Sequence, residues 1–307
     1  MNESAASPFL PLTGIYEPSA IQQLPDGRFL VVEDEREHPL SLVEIGADGT
    51  VNSRALAPGW FEGNDTFWKL DDLEGLTLDS AGFVYAITSH SRDGDGEQKK
   101  SRDKLVRFRI DGDRVEAPLV AKGLRAALLA AHPVLASAAE IGDVKGGGGL
   151  NIEALEMAPD RSRLLIGFRS PLLGGQALIA SLGNPVGLFE AGEPPHVLPR
   201  LDRLDLGGDG LRGMGWVPAL NGYVLISGPV ARQQVPFQLW FWGGMTGQPA
   251  RRITVPGHPG FEHAEGVSPA ILDGRPRLVI VSDDGSREQK RYGRYLVLDI
   301  ARLLIAD

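Results

Sequence analysis

The sequence contains no cysteine. This excludes disulfides, thiolate nucleophiles and cysteine-held zinc or iron–sulfur centres, so any metal must be held by oxygen or histidine ligands. Histidine is itself scarce, at 6 residues. No apolar run approaches the roughly 18 residues that span a bilayer, and the opening Met1-Asn2-Glu3-Ser4 lacks the basic start of a secretory signal. A soluble, cytoplasmic product is therefore expected. Positive charge is thin: 31 Lys and Arg stand against 40 Asp and Glu, for a net charge of −9. No run of basic residues is longer than two, which argues against nucleic acid and anionic membranes as partners.

Several familiar catalytic signatures are missing as well. There is no Gly-x-Ser-x-Gly elbow and no His-Glu-x-x-His helix. Gly146–Gly149 lacks the Lys-Ser or Lys-Thr of a phosphate loop, and Gly208-Asp209-Gly210-Leu211-Arg212-Gly213 precedes a strand rather than opening a nucleotide-binding helix. Asp93-Gly94-Asp95-Gly96-Glu97 hints at a calcium loop, but Lys104 stands where an EF-hand needs its closing glutamate.

What is abundant is glycine, 39 residues, together with 22 prolines spread along the whole chain. Many short strands need many tight turns, so this spread favours an all-β fold. A repeat supports that reading. Five segments share one grammar of a polar residue beside a small one, a short apolar strand, a turn and a second apolar strand. They begin at Glu17, Glu74, Glu153, Arg212 and Glu265. Second strands follow at Arg28–Asp34, Phe83–Ser89, Leu164–Arg169, Tyr223–Ser227 and Leu278–Asp283, and third strands at Leu40–Ile45, Leu105–Ile110, Ala177–Ser181, Gln238–Trp242 and Tyr295–Ile300.

This pattern predicts a β-propeller of five blades occupying residues 1–307 as one domain, with a sixth, degenerate blade within 111–150 as the alternative. The same interval carries a helical insertion near 124–138, rich in Ala and Leu. A propeller closes when a terminal strand completes the last blade, so Phe9–Ile15 or the tail Leu303-Leu304-Ile305 is expected to supply an outer strand.

In such a blade the first strand lines the central channel, and its start lies beside the end of the second. That places Glu17, Glu74, Glu153, Arg212 and Glu265 in one ring, with Asp34, His90, Arg169, Ser227 and Asp283 just outside it. Converging carboxylates repel one another and need compensation. Calcium held by Glu17, Glu74, Glu153 and Glu265, with Asn151 or Asp283 adding oxygen ligands, is one solution. Compensation by Arg212, Arg169 and Arg92 is a second. The third is capture of a small polar or anionic molecule, with Glu74, Glu153, His90 and His263 moving protons and Arg169, Arg212 and Asp283 gripping substrate. A ring that merely staples neighbouring blades accounts for the same residues, and the aromatic run Phe237, Trp240, Phe241 and Trp242 reads as blade packing.

These residues also carry a resemblance. Tyr16-Glu17-Pro18-Ser19, Asp72-Leu73-Glu74-Gly75-Leu76, Ser89-His90-Ser91, Asn151-Ile152-Glu153-Ala154-Leu155, Gly167-Phe168-Arg169-Ser170-Pro171, Arg212-Gly213-Met214, Glu265-Gly266-Val267 and Ser282-Asp283-Asp284-Gly285 together resemble a bacterial family known as domain of unknown function 3616. The Glu-Gly and Asn-Ile-Glu-Ala-Leu elements are similar to a family described as having the esterase-like activity of phytase, and more remotely to calcium-dependent lactonase propellers. The resemblance implies a propeller and points toward hydrolysis; an ester, lactone or phosphoester of a small polar molecule is the expected substrate, and a non-enzymatic ligand- or protein-binding propeller is the alternative. Arg212 departs from the lactonase pattern, since a cation there would repel calcium.

Overall fold

The computed structural model describes residues 8–58, 65–143, 146, 148–231, 236–258, 260–261 and 263–307. After a short strand β1 (Leu10–Pro11), the chain runs through β2 (Pro18–Gln23), β3 (Phe29–Glu33), β4 (Leu40–Ile45) and β5 (Val51–Ala55), which form one antiparallel sheet in that order. A second sheet holds β6 (Leu73–Leu78), β7 (Val84–Thr88), β8 (Leu105–Asp111) and β9 (Arg114–Val120). The third holds β10 (Asn151–Met157), β11 (Leu164–Leu173), β12 (Gln176–Leu182) and β13 (Asp202–Leu204). In the fourth, β14 (Gly210–Val217), β15 (Gly222–Gly228), β16 (Gln238–Trp242) and β17 (Arg251–Thr254) are followed by the tail strand β21 (Leu304–Ile305). The fifth contains β18 (Ala264–Leu272), β19 (Arg275–Ser282) and β20 (Arg294–Asp299), with β1 on its outer edge.

The five first strands pack in a closed cycle, β2 on β6, β6 on β10, β10 on β14, β14 on β18 and β18 back on β2. The fold is a five-bladed β-propeller. No sixth sheet forms among the described residues of 111–150. That interval holds β9 and two short helices, Leu124–Ala131 and Pro133–Ala139, where the sequence predicts one. Pro133 lacks the N–H that would continue the first helix and instead opens the second at His132. Leu124, Leu128, Leu135 and Ala138 turn inward to the core between the second and third blades. Both termini join the ring, because Leu10 and Pro11 pair with Tyr295 and Arg294 while Leu304 and Ile305 extend the fourth blade. No helix among the described residues is long and apolar enough to cross a membrane.

Apolar, β-branched runs such as Phe29-Leu-Val-Val and Leu278-Val-Ile-Val are buried on both faces because each sheet is covered by its neighbours. The turns after the first strands of the first three blades share a device. Asp26, Asp79 and Asp160 each accept a backbone N–H two residues on, from Arg28, Ala81 and Ser162.

At the axis, space is the constraint. The residues following the ring positions are Ala20, Gly75, Ala154, Gly213 and Gly266, all small. A Cβ on Gly213 would lie 2.1 Å from the Glu265 carbonyl oxygen, and one on Gly266 would lie 2.8 Å from the Ala20 Cα. These contacts are to backbone, which cannot swing aside, so Gly213→Ala should cost about 1–3 kcal/mol, measured as a lower denaturant midpoint at unchanged slope. Beneath the ring the inner strands leave a void of only about 10 Å³, so the channel mouth is a blind cup and not a pore.

Candidate functional site

Each inner strand carries a bulge at its mouth end. Pro18 pairs with Glu33 and Ala20 with Val32, leaving Ser19 unpaired. The same skip isolates Glu74 between Leu73 and Gly75, Glu153 between Ile152 and Ala154, Arg212 between Leu211 and Gly213, and Glu265 between Ala264 and Gly266. A bulged residue leaves the ladder and re-aims its side chain, here toward the axis. The ring is therefore Ser19, Glu74, Glu153, Arg212 and Glu265.

Two further tiers follow from this register. Two residues upstream stand Glu17, Asp72, Asn151, Gly210 and His263. One residue past the second-strand partners of Pro18, Leu73, Ile152, Leu211 and Ala264 stand Asp34, Ser89, Arg169, Gly228 and Asp283. Glu17 thus belongs to the upper tier, not to the ring, and its carbonyl accepts the Asp34 N–H at 3.1 Å. The equivalent bonds are Ser89 N–H to Asp72 O and Asp283 N–H to His263 O. His90 and Ser227 each miss the outer tier by one residue, and a one-residue slip turns a side chain to the opposite face.

The ring, with Asp72 and Asn151 of the upper tier and Asp34, Arg169 and Asp283 of the outer one, borders a cavity of about 950 Å³, lined by nine carboxyl and four arginine side chains. Its charge divides into two arcs. On the side of blades three to five, Arg212 bonds Glu265 through Nη2 and Glu153 through Nη1, 2.9 Å from Oε2. Arg169 adds a bond from Nη1 to Glu153 Oε1 at 3.2 Å and one from Nε to the Pro229 carbonyl at 3.0 Å. Gly228 makes room, since a Cβ there would be 3.0 Å from Arg212 Cγ. Burial alone would push Arg212 down, but Glu153, Glu265 and Glu74 reverse that and hold it above the ordinary arginine range. Burial likewise raises Glu153, with Arg212 and Arg169 opposing. Compensation by arginine is thus realised in this arc, and Nη1 and Nη2 of Arg212 both engage protein carboxylates instead of facing a substrate anion.

The other arc, in blades one and two, is acidic. Burial pushes Glu74 well above the usual carboxylate range, and Glu153, Asp72, Asp34 and Glu265 push it further. Asp34 is raised to about 10, first by burial and then by its neighbour Asp72. Neither Asp34 nor Glu74 forms a salt bridge with a described residue. Asp72 is better held: its Oδ2 accepts from Ser89, from Ser91 at 3.1 Å and from Arg102 Nη1 at 2.9 Å. Arg102 reaches it from the segment after β7 and also holds Asp71. Oxygens of Asp34, Asp72 and Glu74 lie within 4.8 Å of one another. The predicted calcium set of Glu17, Glu74, Glu153 and Glu265 does not assemble, because Arg212 stands between Glu153 and Glu265 and Glu17 lies outside the ring.

Asp283 completes the cup. Burial, then Glu265 and Glu17, raise its carboxyl to about 8. The two histidines sit elsewhere. His90 is buried behind the wall with Nε2 3.4 Å from the Lys104 carbonyl, and burial holds it below the ordinary imidazole range. His263 is exposed with φ of 59°, its ring 5.8 Å from that of Phe237. Neither lines the cavity. Asp72, Asn151 and Arg102 do; the repeat grammar singles out none of them, although the sequence already offers Asn151 as a calcium ligand. The two-residue offset from the ring exposes the first two in retrospect, whereas Arg102 lies outside the repeat.

Over residues 123–299, more than half of its length, the chain matches the family described as protein of unknown function DUF3616. No functionally curated protein matches it in sequence. Among solved structures, a glucose dehydrogenase is 16% identical with a TM-score of 0.48, covering 95% of this chain and 99% of its own. A protein described as an oxidoreductase (glucose dehydrogenase) from Thermus thermophilus is 16% identical with a TM-score of 0.45, over 95% of this chain and 100% of its own. The PQQ-bound aldose sugar dehydrogenase of Streptomyces coelicolor is 14% identical with a TM-score of 0.42, over 96% and 98%. Likenesses this distant say nothing about the chemistry of the cup.

Proposed function

The chain belongs to the DUF3616 family of proteins of unknown function, so its reaction has to be read from its own site, and we propose that the cup hydrolyses an ester or lactone of a small, uncharged polar molecule. The observation that carries this reading is Asp283, a cavity-lining carboxyl beside the fixed Glu153–Arg212–Glu265 network. A general acid needs its proton near neutral pH, and a carboxyl raised to about 8 retains it there. In this scheme water adds to the acyl carbon to give a tetrahedral intermediate. Asp283 then protonates the alkoxide as the acyl–oxygen bond breaks, and the proton brought in by the water returns to the Asp283 carboxylate, giving acid and alcohol. Arg169, whose Nε and Nη1 are committed to Pro229 and Glu153, presents Nη2 to the carbonyl oxygen.

The charge of the lining selects among substrates. Asp34 and Asp283 keep their protons near neutral pH, yet the other seven lining carboxyls still outnumber the four arginines, so a phosphoester dianion would be repelled, while hydroxyl groups find abundant acceptors. The partner is thus a neutral polyol-like ester or lactone.

The test is a panel of aliphatic esters and sugar lactones assayed from pH 6 to 10. The groups facing Asp283 are Glu265, Glu17, Arg212 and Asp284. A carboxyl raised from 3.8 to about 8 is protonated below that pH, so kcat should fall as pH rises through about 8. Asp283→Asn should lose about a hundredfold in kcat/KM with its melting temperature retained. Absence of turnover by the wild type across the panel overturns the reading and leaves a binding module; full turnover in Asp283→Asn overturns the role of Asp283.

A further inference from the structure

The arginine-compensated arc explains how Glu153 and Glu265 tolerate burial. It leaves Asp34, Asp72 and Glu74, which crowd together on the opposite wall; among the described residues Arg102, bonded to Asp72, is the one basic side chain paired with any of them. We propose that these three carboxylates and the amide oxygen of Asn151 form a site for a hard divalent cation of calcium's size. This goes beyond the hydrolytic reading and does not depend on it.

Three observations carry the site. The first is spacing. Ligand atoms bound to one calcium ion at about 2.4 Å can be no more than about 4.8 Å apart, and one oxygen from each of Asp34, Asp72 and Glu74 meets that bound. The second is the amide of Asn151, a residue only 7% exposed. Its Nδ2 donates to Glu153 Oε1 at 2.7 Å, which fixes the orientation of the group. Its Oδ1 is then a buried acceptor with no hydrogen-bond partner, in the wall of the same cavity. Buried polar atoms are rarely left unsatisfied, and an oxygen in an acidic cup is satisfied by a cation. The third is origin. Asp34 comes from the outer tier of blade one, Asp72 and Glu74 from the upper tier and ring of blade two, and Asn151 from the upper tier of blade three. Carboxylates of two blades thus meet at one point, the third blade lends Asn151 to the wall of the same cavity, and a cation there would tie the three together.

The donor set selects the ion. All four donors are oxygen, which disfavours zinc. Carboxylates able to bind through one or both oxygens, with the open cup supplying water, suit the loose six-to-eight coordination of calcium better than the strict octahedron of magnesium.

The experiment uses the full chain stripped with EDTA and titrated with calcium chloride by calorimetry, with melting followed in parallel. The wild type should bind one ion per chain and melt several degrees higher in 1 mM calcium. Glu74→Gln relieves repulsion in the empty cup, so it should melt at or above the stripped wild type yet lose at least tenfold in calcium affinity, as should Asp34→Asn. Asp95→Asn, on the rim, should bind as the wild type does. Absence of calorimetric binding at 1 mM, or an equal calcium response in wild type and Glu74→Gln, overturns the site. Calcium binding without ester or lactone turnover defeats only the hydrolytic reading; turnover with no calcium response defeats only this one.

Discussion

Arg212→Met should destabilise the protein by about 3–5 kcal/mol, because it strands Glu153 and Glu265 in a buried site without the charge that faces both of them. For a chain of this size that is a fall on the order of 10 °C in melting temperature. The pH dependence separates this cause from simple loss of packing. Burial already places Glu153 above the ordinary carboxylate range in spite of Arg212 and Arg169, and removing Arg212 moves it further up. A carboxyl whose folded pKa is raised favours the fold while protonated and penalises it once ionised. The deficit should therefore shrink as pH falls from 8 toward 5. Adding Glu153→Gln and Glu265→Gln to Arg212→Met should recover most of the loss, since a neutral set of similar volume carries no ionic desolvation. A variant whose deficit is the same at pH 5 and pH 8 would show that the guanidinium acts through its contact with Phe237, 5.4 Å from the ring centroid, and not through charge.

The same residues show how far the sequence reveals the site. Glu74, Glu153, Arg212 and Glu265 are legible because each starts an apolar inner strand and precedes Gly or Ala, and the axis imposes both features. The first blade breaks the pattern. Its ring residue is Ser19, which carries no charge, so the nearby acid Glu17 takes its place in a reading guided by charge. The small residue Ala20 is the better marker, because close approach of backbones at the axis constrains that position in every blade. His90 shows a different limit. Its segment Thr88-Ser89-His90-Ser91 leaves the strand at a non-glycine residue with φ of 54°. Which of Ser89 and His90 continues the outer tier thus depends on the bulge register, and strand alternation alone does not reveal a bulge. Arg102 lies beyond sequence reasoning altogether, since a loop brings it to Asp71 and Asp72 by tertiary packing.

The outer strands are the least legible part of the fold for a related reason. Val51–Ala55 and Arg251–Thr254 lie at or near sheet edges and are largely exposed, so one covered face imposes little alternation on them. The inner three strands of each blade are buried between neighbours and their apolar runs mark them directly.

Closure of the ring gives the largest expected effect on stability. Leu12 and Ile15 follow the N-terminal strand, are fully buried, and fill the core shared by Ile21, Phe29 and Val31 of the first blade with Val279, Val281 and Tyr295 of the fifth. Backbone bonds lock the same segment to the fifth blade, from Leu12 N–H to the Gly293 carbonyl and from Gly293 N–H to the Ile15 carbonyl. Truncating a buried Leu or Ile to Ala costs about 2–5 kcal/mol, so Leu12→Ala with Ile15→Ala should lose about 4–10 kcal/mol if the two sites relax separately. In an open sheet such a loss would fray one edge. In a closed ring, β18 packs on β2 just as every other inner strand packs on the next, and no blade can separate without exposing the cores on both its faces. The double variant should therefore melt in one transition at lower temperature, with amide exchange accelerated in the third blade as much as in the fifth. Exchange confined to residues near β1 and β20, with the third blade as protected as in the wild type, would show that the N-terminal strand decorates the ring without closing it.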